Sequence, residues 1–483
     1  MKNLYQYTIS LFTLLAAYHS QGQQRYNVLF IVADGLQPQV LSCYGNSFAK
    51  TPNFQELANR GITFQHAYAQ RSVCAPSRPS MITGLRPDTL QITSGAVHFR
   101  SVLPDVITMP QLFKQNGYYT RAIGLVSHAH PAQPDNISWS VPETLLNIPK
   151  RDEYLLPQNR LRGFINPMNK GAATEGMDAP DNAYQDGQVT QLAIETLNEI
   201  KNKPFFLAVG FKRPHLPYSC PKKYWDLYDE KQIPVPADIN FPDCTPEQAS
   251  LRYAWSDSTG EIRPYTDMPN KGPLSMEQAR HAIHGYYASV SYVDAQIGRL
   301  LHTLDSLKLS QNTIIVLWSD HGIHLGERGL WGKADLTENA NHIPLIIVKP
   351  GSTTAGRKTK ALVESVDVYP TLASLCGLDA PACLQGTSMR PLLDDPARKW
   401  KEAVFSEYPR RRNKVMGYSV RTMQYRYNEY KELATGKILD RELYDMNTDP
   451  LGYHNLVDTP GYETTAATLK KFLEGGWRAV RIN

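Results

Sequence analysis

The chain has 483 residues, of which 42% are hydrophobic and 20% are charged, and its formal net charge is +5. A single hydrophobic core stops growing at about 250 to 300 residues, so this length predicts one large domain with a smaller one attached. The composition excludes a disordered chain, and the weak, scattered positive charge gives no basis for nucleic-acid binding, although it suits an anionic substrate.

The amino terminus has the pattern of an export signal. A lysine-containing start is followed by a mostly apolar stretch over residues 4–17 and by a polar segment that continues through Gln24. We predict a signal peptide over residues 1–22. No other apolar stretch reaches the about 20 residues needed to span a bilayer, so we expect no membrane insertion. One glycosylation sequon, Asn136-Ile-Ser138, favours the bacterial periplasm over a lysosome-type compartment.

Six cysteines are too few to form a disulfide scaffold in a chain of this length. Cys376 and Cys383 are close enough in sequence to pair, and Cys220 with Cys244 is the second candidate pair. Cys43 has the pattern of a packing residue.

Five short runs are apolar on both faces, which is typical of the central strands of a parallel sheet covered by helices on both faces. The runs are 28–33, 119–124, 205–210, 314–318 and 343–348. Amphipathic helices lie between them, the clearest over 284–307, where apolar side chains recur at steps of three and four. This alternation predicts an α/β fold with a large, mostly parallel sheet sandwiched by helices.

Polar side chains follow four of these runs, where ligands of open α/β sheets bind. They are Asp34 after the first run, His128 and His130 after the second, Lys212, Arg213 and His215 after the third, and Asp320, His321 and Lys333 after the fourth. Carboxylate oxygens suit a hard divalent cation, so Asp34 and Asp320 are candidate ligands. Calcium, which accepts six to eight oxygen ligands, is favoured over zinc.

A cysteine and an arginine lie four residues apart in the segment Cys74-Ala-Pro-Ser-Arg78-Pro-Ser-Met-Ile-Thr-Gly84. If this segment is helical, Arg78 lies one turn from Cys74 and can hydrogen-bond its side chain or a bound anion. A helix starting near Pro79 would add the positive field of its N-terminus. With Cys74 as a catalytic precursor, the segment predicts an enzyme that attacks a charged ester.

The pattern changes near residues 393–396 to short, tyrosine-rich, alternating segments such as 417–426 and 443–446, followed by a helix over 464–477. This predicts a catalytic α/β domain over 23–394 and a C-terminal subdomain over 395–483, built from a small antiparallel sheet and one helix. The connections 127–180 and 212–275 exceed ordinary loop lengths and are predicted walls of a binding site. The cationic run 410–414 is either an anion contact or a solvated loop.

Together these motifs resemble those of the formylglycine-dependent sulfatases of the alkaline phosphatase superfamily, and most of the chain is similar to the iduronate 2-sulfatases and related uronate 2-O-sulfatases. The resemblance is carried by residues 74–84 and by Cys43-Tyr44-Gly45, Ser319-Asp320-His321-Gly322, His342-Ile343-Pro344 and Gly417-Tyr418-Ser419.

The resemblance implies that a sulfatase-maturating enzyme oxidises Cys74 to formylglycine before export, and that its hydrated aldehyde attacks sulfur. It implies a site for calcium, with magnesium as the alternative, built from Asp34, residue 74, Asp320 and His321. Arg78 is implied to stabilise the hydrated aldehyde, His128 to help deprotonate it, and His215 and Lys333 to bind sulfate and protonate the leaving oxygen. The predicted substrate contacts are Arg86, His130, Lys212, Arg410 and Lys414.

The expected reaction is removal of the 2-O-sulfate from a terminal uronic acid, saturated or unsaturated, in oligosaccharides of heparin, heparan or chondroitin type. We expect a monomer or weak dimer. Two positions depart from the family pattern, because Gly35 replaces one of two aspartates and Leu125 stands where a lysine is expected. Gln37 or water is the predicted substitute in the metal shell, and His130, Lys212 or Arg213 the predicted substitute for the lysine.

Three alternatives remain open. The first is a sulfatase with a different positional specificity, and the second is a phosphatase or phosphodiesterase of the same superfamily, disfavoured because those enzymes use threonine or serine as nucleophile. The third, which Gly35 and Leu125 favour, is a catalytically weakened homologue that binds sulfated glycans.

Overall fold

Two sheets organise the chain, a seven-stranded sheet and a four-stranded sheet near the carboxyl terminus. The computed structural model describes residues 25–92, 97–127, 135–144, 150–165, 171–237, 242, 245–249, 261–269 and 272–482. The predicted signal peptide and the histidines His128 and His130 lie outside the described residues. Within those residues, no helix has the length and apolar character needed to cross a bilayer.

The large sheet has the strand order β7-β2-β6-β5-β1-β4-β3. Its strands are β1 (Asn27–Asp34), β2 (Ile62–Tyr68), β3 (Tyr119–Gly124), β4 (Phe205–Pro214), β5 (Thr313–Ser319), β6 (His342–Val348) and β7 (Lys358–Glu364). Six strands run in one direction, and β6 runs antiparallel to both β5 and β2. The mostly parallel sheet is therefore confirmed. All five predicted strands exist, and the sequence reading missed β2 and β7.

The expectation that residues 343–348 form a parallel strand was wrong. Strand β6 pairs with the end of β5, with Leu345 opposite Trp318. Because β6 starts at the same edge of the sheet at which β5 ends, the connection between these two antiparallel strands needs no crossover helix. A fully apolar run predicts burial on both faces, but it carries no information about strand direction.

Helices cover both faces of this sheet. They are α1 (Pro52–Arg60), α2 (Cys74–Thr83), α3 (Met109–Gln115), α4 (Gln185–Ile200), α5 (Met276–Ser306) and α6 (Val368–Leu375). Further helices lie at Pro87–Leu90, Phe99–Val102, Pro157–Ile165, Lys222–Trp225, Glu338–Asn341 and Arg390–Asp394. Alternate residues of β1 enter two separate cores: Leu29 and Ile31 pack with α1, α4 and α5, whereas Phe30 and Val32 pack with α2, α3 and α6. This alternation follows from the two-residue period of a strand.

Two helix starts differ from the predictions. Helix α5 begins at Met276 rather than near residue 284, because Ser275 and Gln278 form a capping box there. Helix α2 begins at Cys74 itself, with Pro79 inside it, so the expected start near Pro79 was wrong. Cys74 is consequently the first residue of the helix, and Arg78 lies one turn further on.

The small sheet is antiparallel in the order β8-β9-β10-β11 and is packed by one helix. Its elements are β8 (Val404–Arg410), β9 (Val415–Arg421), β10 (Tyr425–Glu432), β11 (Ile438–Asp445) and helix α7 (Glu463–Ala479). The predicted architecture of this part is confirmed; the boundary at residue 394 stays a prediction. Cys376 is buried and Cys383 exposed, both as free thiols, so this candidate pair is not formed; Cys244, of the second candidate pair, lies outside the described residues.

Candidate active site

The site lies where parallel strands β5, β1 and β4 end side by side. Asp34 is the last residue of β1, and Asp320 follows directly after β5. Both side chains are buried, at 2% and 0% exposure. The carboxyl ends of parallel strands share one edge of a sheet, and this rule brings together residues 286 positions apart in the chain.

A glycine turn holds the two aspartates in place. Gly35 has φ +68°, in the left-handed region, and its N–H donates to Asp320 Oδ1 at 3.2 Å. Its carbonyl accepts a hydrogen bond from the Tyr286 hydroxyl of α5 at 2.8 Å. A Cβ at position 35 would lie 3.3 Å from Cε1 of His321. The backbone of Gly35 is thus part of the site, because it orients one carboxylate directly.

Cys74 faces this pair of carboxylates. Its Sγ lies 3.1 Å from His321 Nε2 and 3.7 and 3.8 Å from the Asp34 oxygens. Burial and the nearby Asp34 raise the pKa of the thiol well above its ordinary value. The thiol is therefore protonated and a poor nucleophile. In this unmodified chain, Sγ stands in for the side-chain oxygen that formylglycine would carry at position 74.

The Arg78 guanidinium connects the ends of strands β5 and β3 through hydrogen bonds. Its Nε donates to Asp320 Oδ2 at 2.8 Å, and its Nη1 donates to the carbonyl oxygens of Leu125 and Val126. Its Nη2 lies 3.2 Å from Asp34 Oδ2 but forms no hydrogen bond with good geometry. Although burial opposes ionisation, Arg78 holds the pKa of Asp320 well below its usual range. A fully buried guanidinium with one unsatisfied nitrogen is a ready donor to a group on residue 74.

Four buried side chains could hold a divalent cation: Asp34, Cys74, Asp320 and His321, with ligand atoms that all lie within 4.8 Å of one another. His321 Nδ1 lies 2.8 Å from the carbonyl of Gly322 and must donate there, which leaves the Nε2 lone pair facing Asp34 and Asp320 at 3.4 and 3.6 Å. Burial lowers the pKa of His321 to about 4, so the ring is neutral. A lone pair and two carboxylates that converge in a buried space fit a cation and the usual outer-shell support of a ligating histidine.

A second cluster contains Lys333, His215 and Glu261. Lys333 Nζ donates to His215 Nε2 at 2.7 Å and lies 3.2 Å from Glu261 Oε1. His215 Nδ1 lies 2.8 Å from the carbonyl of Leu216, which fixes its tautomer. Burial and the neighbouring Lys333 lower the pKa of His215 to about 3. The ammonium of Lys333 is therefore the cation of this cluster, and His215 is its neutral acceptor.

Sequence reasoning missed Glu261. It lies within the connection 212–275, predicted as a wall of the site, and its backbone N–H donates to Trp331 O at 2.8 Å. Burial opposes the charge of Lys333, but the nearby Cys74 and the carboxylates of Glu261 and Asp34 raise the pKa of Lys333. No local pattern marks Glu261, because its contact depends on how a long irregular segment folds back.

Other predicted substrate contacts have protein partners. Lys212 lies within β4, and its Nζ donates to Glu153 Oε1 at 2.6 Å. Arg86 Nη2 donates to both oxygens of Glu364 at 2.8 Å, and its guanidinium stacks against Phe405 and Trp477. Neither residue belongs to the four-residue cluster around Cys74, whereas the backbone of Lys212 adjoins His215, whose N–H donates to the Lys212 carbonyl at 3.0 Å.

The two ends of the cationic run differ. Arg410 is buried and donates to the carbonyl of Ala334 at 2.7 Å, next to Lys333, so it supports the Lys333 loop. Lys414 is exposed, in the turn between β8 and β9. Arg410 therefore fits a positioning role and Lys414 the solvated-loop alternative.

Of the expected replacements for the two missing family residues, the side chains of Gln37, Lys212 and Arg213 have partners within the protein, and His130 lies outside the described residues. The Gln37 side-chain amide nitrogen donates to the carbonyl of Ile323. The Arg213 guanidinium donates to Ser219 O and Ser219 Oγ at 2.9 and 2.6 Å. At position 125 the backbone, through its bond to Arg78, is what reaches the site.

Comparisons with known proteins agree with this geometry. The family model described as Sulfatase matches residues 26–378, and the model of the N-sulphoglucosamine sulphohydrolase C-terminal part matches residues 326–477. The chain is 33% identical to iduronate 2-sulfatase of Homo sapiens, over 89% of this chain and 90% of that protein. It is 28% identical to an N-acetylglucosamine-6-O-sulfatase of Bacteroides thetaiotaomicron, over 93% of this chain and 86% of the relative.

A solved structure in complex with D-glucosamine-2-N,6-O-disulfate has the same alkaline phosphatase-like fold, with a TM-score of 0.73 and 24% identity over 93% of this chain and 97% of that one. Members of the matched family generally use formylglycine and a divalent metal, and the four-residue cluster around Cys74 is consistent with both. The family match over most of the chain, on a site with a cysteine among buried carboxylates, shows that this chain belongs to the sulfatase family and is a sulfuric ester hydrolase.

Proposed function

We propose that the chain removes the 2-O-sulfate from a terminal uronic acid of heparin-, heparan- or chondroitin-type oligosaccharides. The observation that carries the chemistry is the position of Cys74 Sγ, 3.1 Å from His321 and within 4 Å of Asp34, with Arg78 one helical turn away. The positional specificity is supported by the 33% identity to iduronate 2-sulfatase.

In the proposed reaction, Cys74 is oxidised to formylglycine and its aldehyde is hydrated. One hydroxyl attacks sulfur, the bond from sulfur to the sugar oxygen breaks, and that oxygen leaves with a proton as the free alcohol. The second hydroxyl then loses its proton and forms the carbonyl, which expels sulfate and restores the aldehyde. No separate water attacks sulfur, and water only rehydrates the aldehyde.

The surrounding residues have defined proposed roles. Asp34, Asp320, His321 and residue 74 would hold calcium, or magnesium as the alternative, which would neutralise charge on the nucleophile and the sulfate. Arg78 would donate to the hydrated aldehyde. Lys333, oriented by His215 and Glu261, would donate to the sulfate and to the leaving oxygen, where negative charge builds up. His128 and His130 stay predictions for deprotonation and substrate contact.

The competing proposal is a homologue that binds sulfated glycans with little turnover. It is favoured by Gly35 and Leu125, which leave the cluster with two carboxylates and without a lysine on the segment that binds Arg78. Loss of one charge-stabilising donor costs about 100- to 1000-fold in rate where nothing replaces it. Arg78 and Lys333, both buried, would then have to supply most of the transition-state stabilisation.

A first experiment tests the modification. The chain is produced with a sulfatase-maturating enzyme in a host that exports it to the periplasm, the proposed compartment, and the peptide containing Cys74 is examined by mass spectrometry. We expect formylglycine at position 74 and no activity in Cys74→Ala. Unmodified thiol throughout, with no sulfate released from any sulfated disaccharide, would overturn the proposal in favour of the binding protein.

A second experiment tests specificity and metal. Disaccharides that each carry one sulfate are compared, and we expect release from the 2-O-sulfated terminal uronate only. Release from 6-O-sulfated glucosamine instead would assign the specificity of the Bacteroides thetaiotaomicron relative. After removal of metals with a chelator, calcium should restore more activity than magnesium, and Asp34→Asn should abolish the restoration.

A further inference from the structure

A second cluster of metal-ligating side chains lies outside the active site. It consists of Glu230, in the short helical turn Glu230–Gln232, and His281 and His284 on α5. His281 Nδ1 lies 3.1 Å from Glu230 Oε2, and His284 Nδ1 lies 3.0 Å from the same oxygen. The two histidines are three residues apart on one helix and therefore project from the same face.

The hydrogen bonds of His284 point to a cation at this position. Its Nε2 lies 2.9 Å from the carbonyl of Trp225, which can only accept, so Nε2 carries a proton. If the ring is neutral, its Nδ1 carries a lone pair and lies 3.0 Å from Glu230 Oε2. Two hydrogen-bond acceptors would then be in contact without a proton between them. Either a second proton on the ring, which would make a His284–Glu230 ion pair, or a metal ion bound to both atoms resolves this contact. A carbonyl on the far nitrogen is the usual support of a ligating histidine.

We propose that Glu230, His281 and His284 form a zinc site. Two imidazoles and one carboxylate are a typical ligand set for Zn²⁺, which accepts nitrogen and oxygen ligands at about 2.0 to 2.2 Å, whereas calcium prefers oxygen ligands alone. Tetrahedral geometry at those lengths separates ligand atoms by about 3.3 Å, close to the 3.0 and 3.1 Å contacts to Glu230. The exposed sides of His281 and Glu230 leave access for the ion and for a water as fourth ligand.

The zinc site would link two parts of the chain that contact the active site, the segment from His215 to Glu230 and helix α5. Glu230 belongs to the segment that continues from His215 through the strand Tyr218–Pro221 and the helix Lys222–Trp225. His284 is two residues before Tyr286, whose hydroxyl holds the Gly35 turn. A bound zinc would therefore tie the His215 side of the active site to the helix that supports its metal ligands, and its role would be structural.

The test must separate this site from the active-site cluster, which also contains a cysteine and a histidine. We would measure Zn²⁺ binding by calorimetry on full-length Cys74→Ser protein in excess Ca²⁺. The proposal expects one equivalent of Zn²⁺, lost in Cys74→Ser with His281→Gln and also in Cys74→Ser with Glu230→Gln. His302→Gln, an exposed histidine of the same helix, is the matched control and should retain the equivalent.

Thermal unfolding supplies an independent readout that does not require activity. At Zn²⁺ concentrations about 100-fold above the dissociation constant, a chain of this size should gain about 3 °C in Tm, and the His281→Gln background should gain nothing. Equal Zn²⁺ binding with and without His281, or no Zn²⁺ binding in Cys74→Ser, would overturn the zinc site and leave a simple His–Glu ion pair. Because Cys74→Ser removes the proposed nucleophile, neither result depends on the sulfatase mechanism.

Discussion

At the scale of single residues, two positions that differ from the family pattern contribute through their backbone. Gly35 donates its N–H to Asp320 and accepts from Tyr286, and the carbonyl of Leu125 accepts from Arg78. The comparison of side chains alone therefore indicates the loss of one carboxylate and one ammonium group. In the structure, the backbone at both positions makes contacts within the site. The positive φ of Gly35 explains why glycine suits the turn, since L side chains rarely adopt that conformation.

We predict that Gly35→Ala lowers the free energy of unfolding by about 1 to 2 kcal/mol, because alanine is strained in the left-handed region. It should also weaken metal binding, since the new Cβ lies 3.3 Å from the His321 ring. Gly35→Asp should likewise fail to raise activity, although aspartate tolerates this conformation better. Denaturant titration and sulfate release measure the two effects.

Gly436→Ala is the matched control for Gly35. Gly436 also has a positive φ, of +72°, in the hairpin between β10 and β11, and no atom lies within 4 Å of a Cβ built there. It should lose stability without losing activity. Increased sulfate release by Gly35→Asp would show instead that the absence of a second aspartate lowers the activity of this chain.

At the scale of elements, helix α5 supports the site from one face of the sheet. Tyr286 accepts from Gln37 N at 3.0 Å and donates to Gly35 O at 2.8 Å, so one hydroxyl satisfies both backbone groups of the turn after β1. Tyr292 makes the same pair of bonds elsewhere: it accepts from Gly187 N at 2.6 Å and donates to Asp181 O at 2.8 Å. Periodicity predicted the helix, but it could not show that two tyrosines brace different loops.

We predict that Tyr286→Phe and Tyr292→Phe each lower the free energy of unfolding by about 1 to 3 kcal/mol, because each leaves a backbone N–H without its acceptor and Tyr286→Phe also leaves the Gly35 carbonyl without its donor. Only Tyr286→Phe should also weaken calcium binding and reduce kcat, since only Tyr286 contacts the turn that orients Asp320. Calorimetric calcium titration of the two variants distinguishes them. Equal calcium affinity in both would contradict the supporting role of α5.

At the scale of the whole molecule, buried ion pairs join the two sheets. Glu338, just before β6, accepts from Arg421 Nε at 3.1 Å and Arg426 Nη2 at 2.6 Å, both on the small sheet, and from the Tyr68 hydroxyl of β2. Lys401, just before β8, forms buried ion pairs with Glu364 at 3.0 Å and with Asp367 at 2.6 Å. Such pairs tolerate loss of one partner poorly, because a buried charge is left uncompensated.

We predict that Glu338→Gln destabilises the protein by about 3 to 5 kcal/mol and that both sheets still unfold in one transition. Near- and far-ultraviolet circular dichroism during denaturation should give the same midpoint. Glu474→Gln, which removes an exposed pair with Lys470 on α7, should change stability by less than about 1 kcal/mol. Two separated transitions in Glu338→Gln would mean that the small sheet folds independently of this contact.

The sequence by itself predicted five strands of the large sheet and the long helix from local periodicity. It predicted Asp34, Asp320 and His321 as neighbours from the rule that strand ends share an edge, and Cys74 and Arg78 from the motif over residues 74–84. Only the tertiary structure decided the direction of β6, the Glu364 partner of Arg86 and the place of Glu261 beside Lys333. Those features depend on contacts between segments far apart in the chain, and local patterns hold no information about which distant groups meet. The Glu230–His281–His284 cluster belongs to the same class, since its carboxylate lies 51 residues before the nearer histidine.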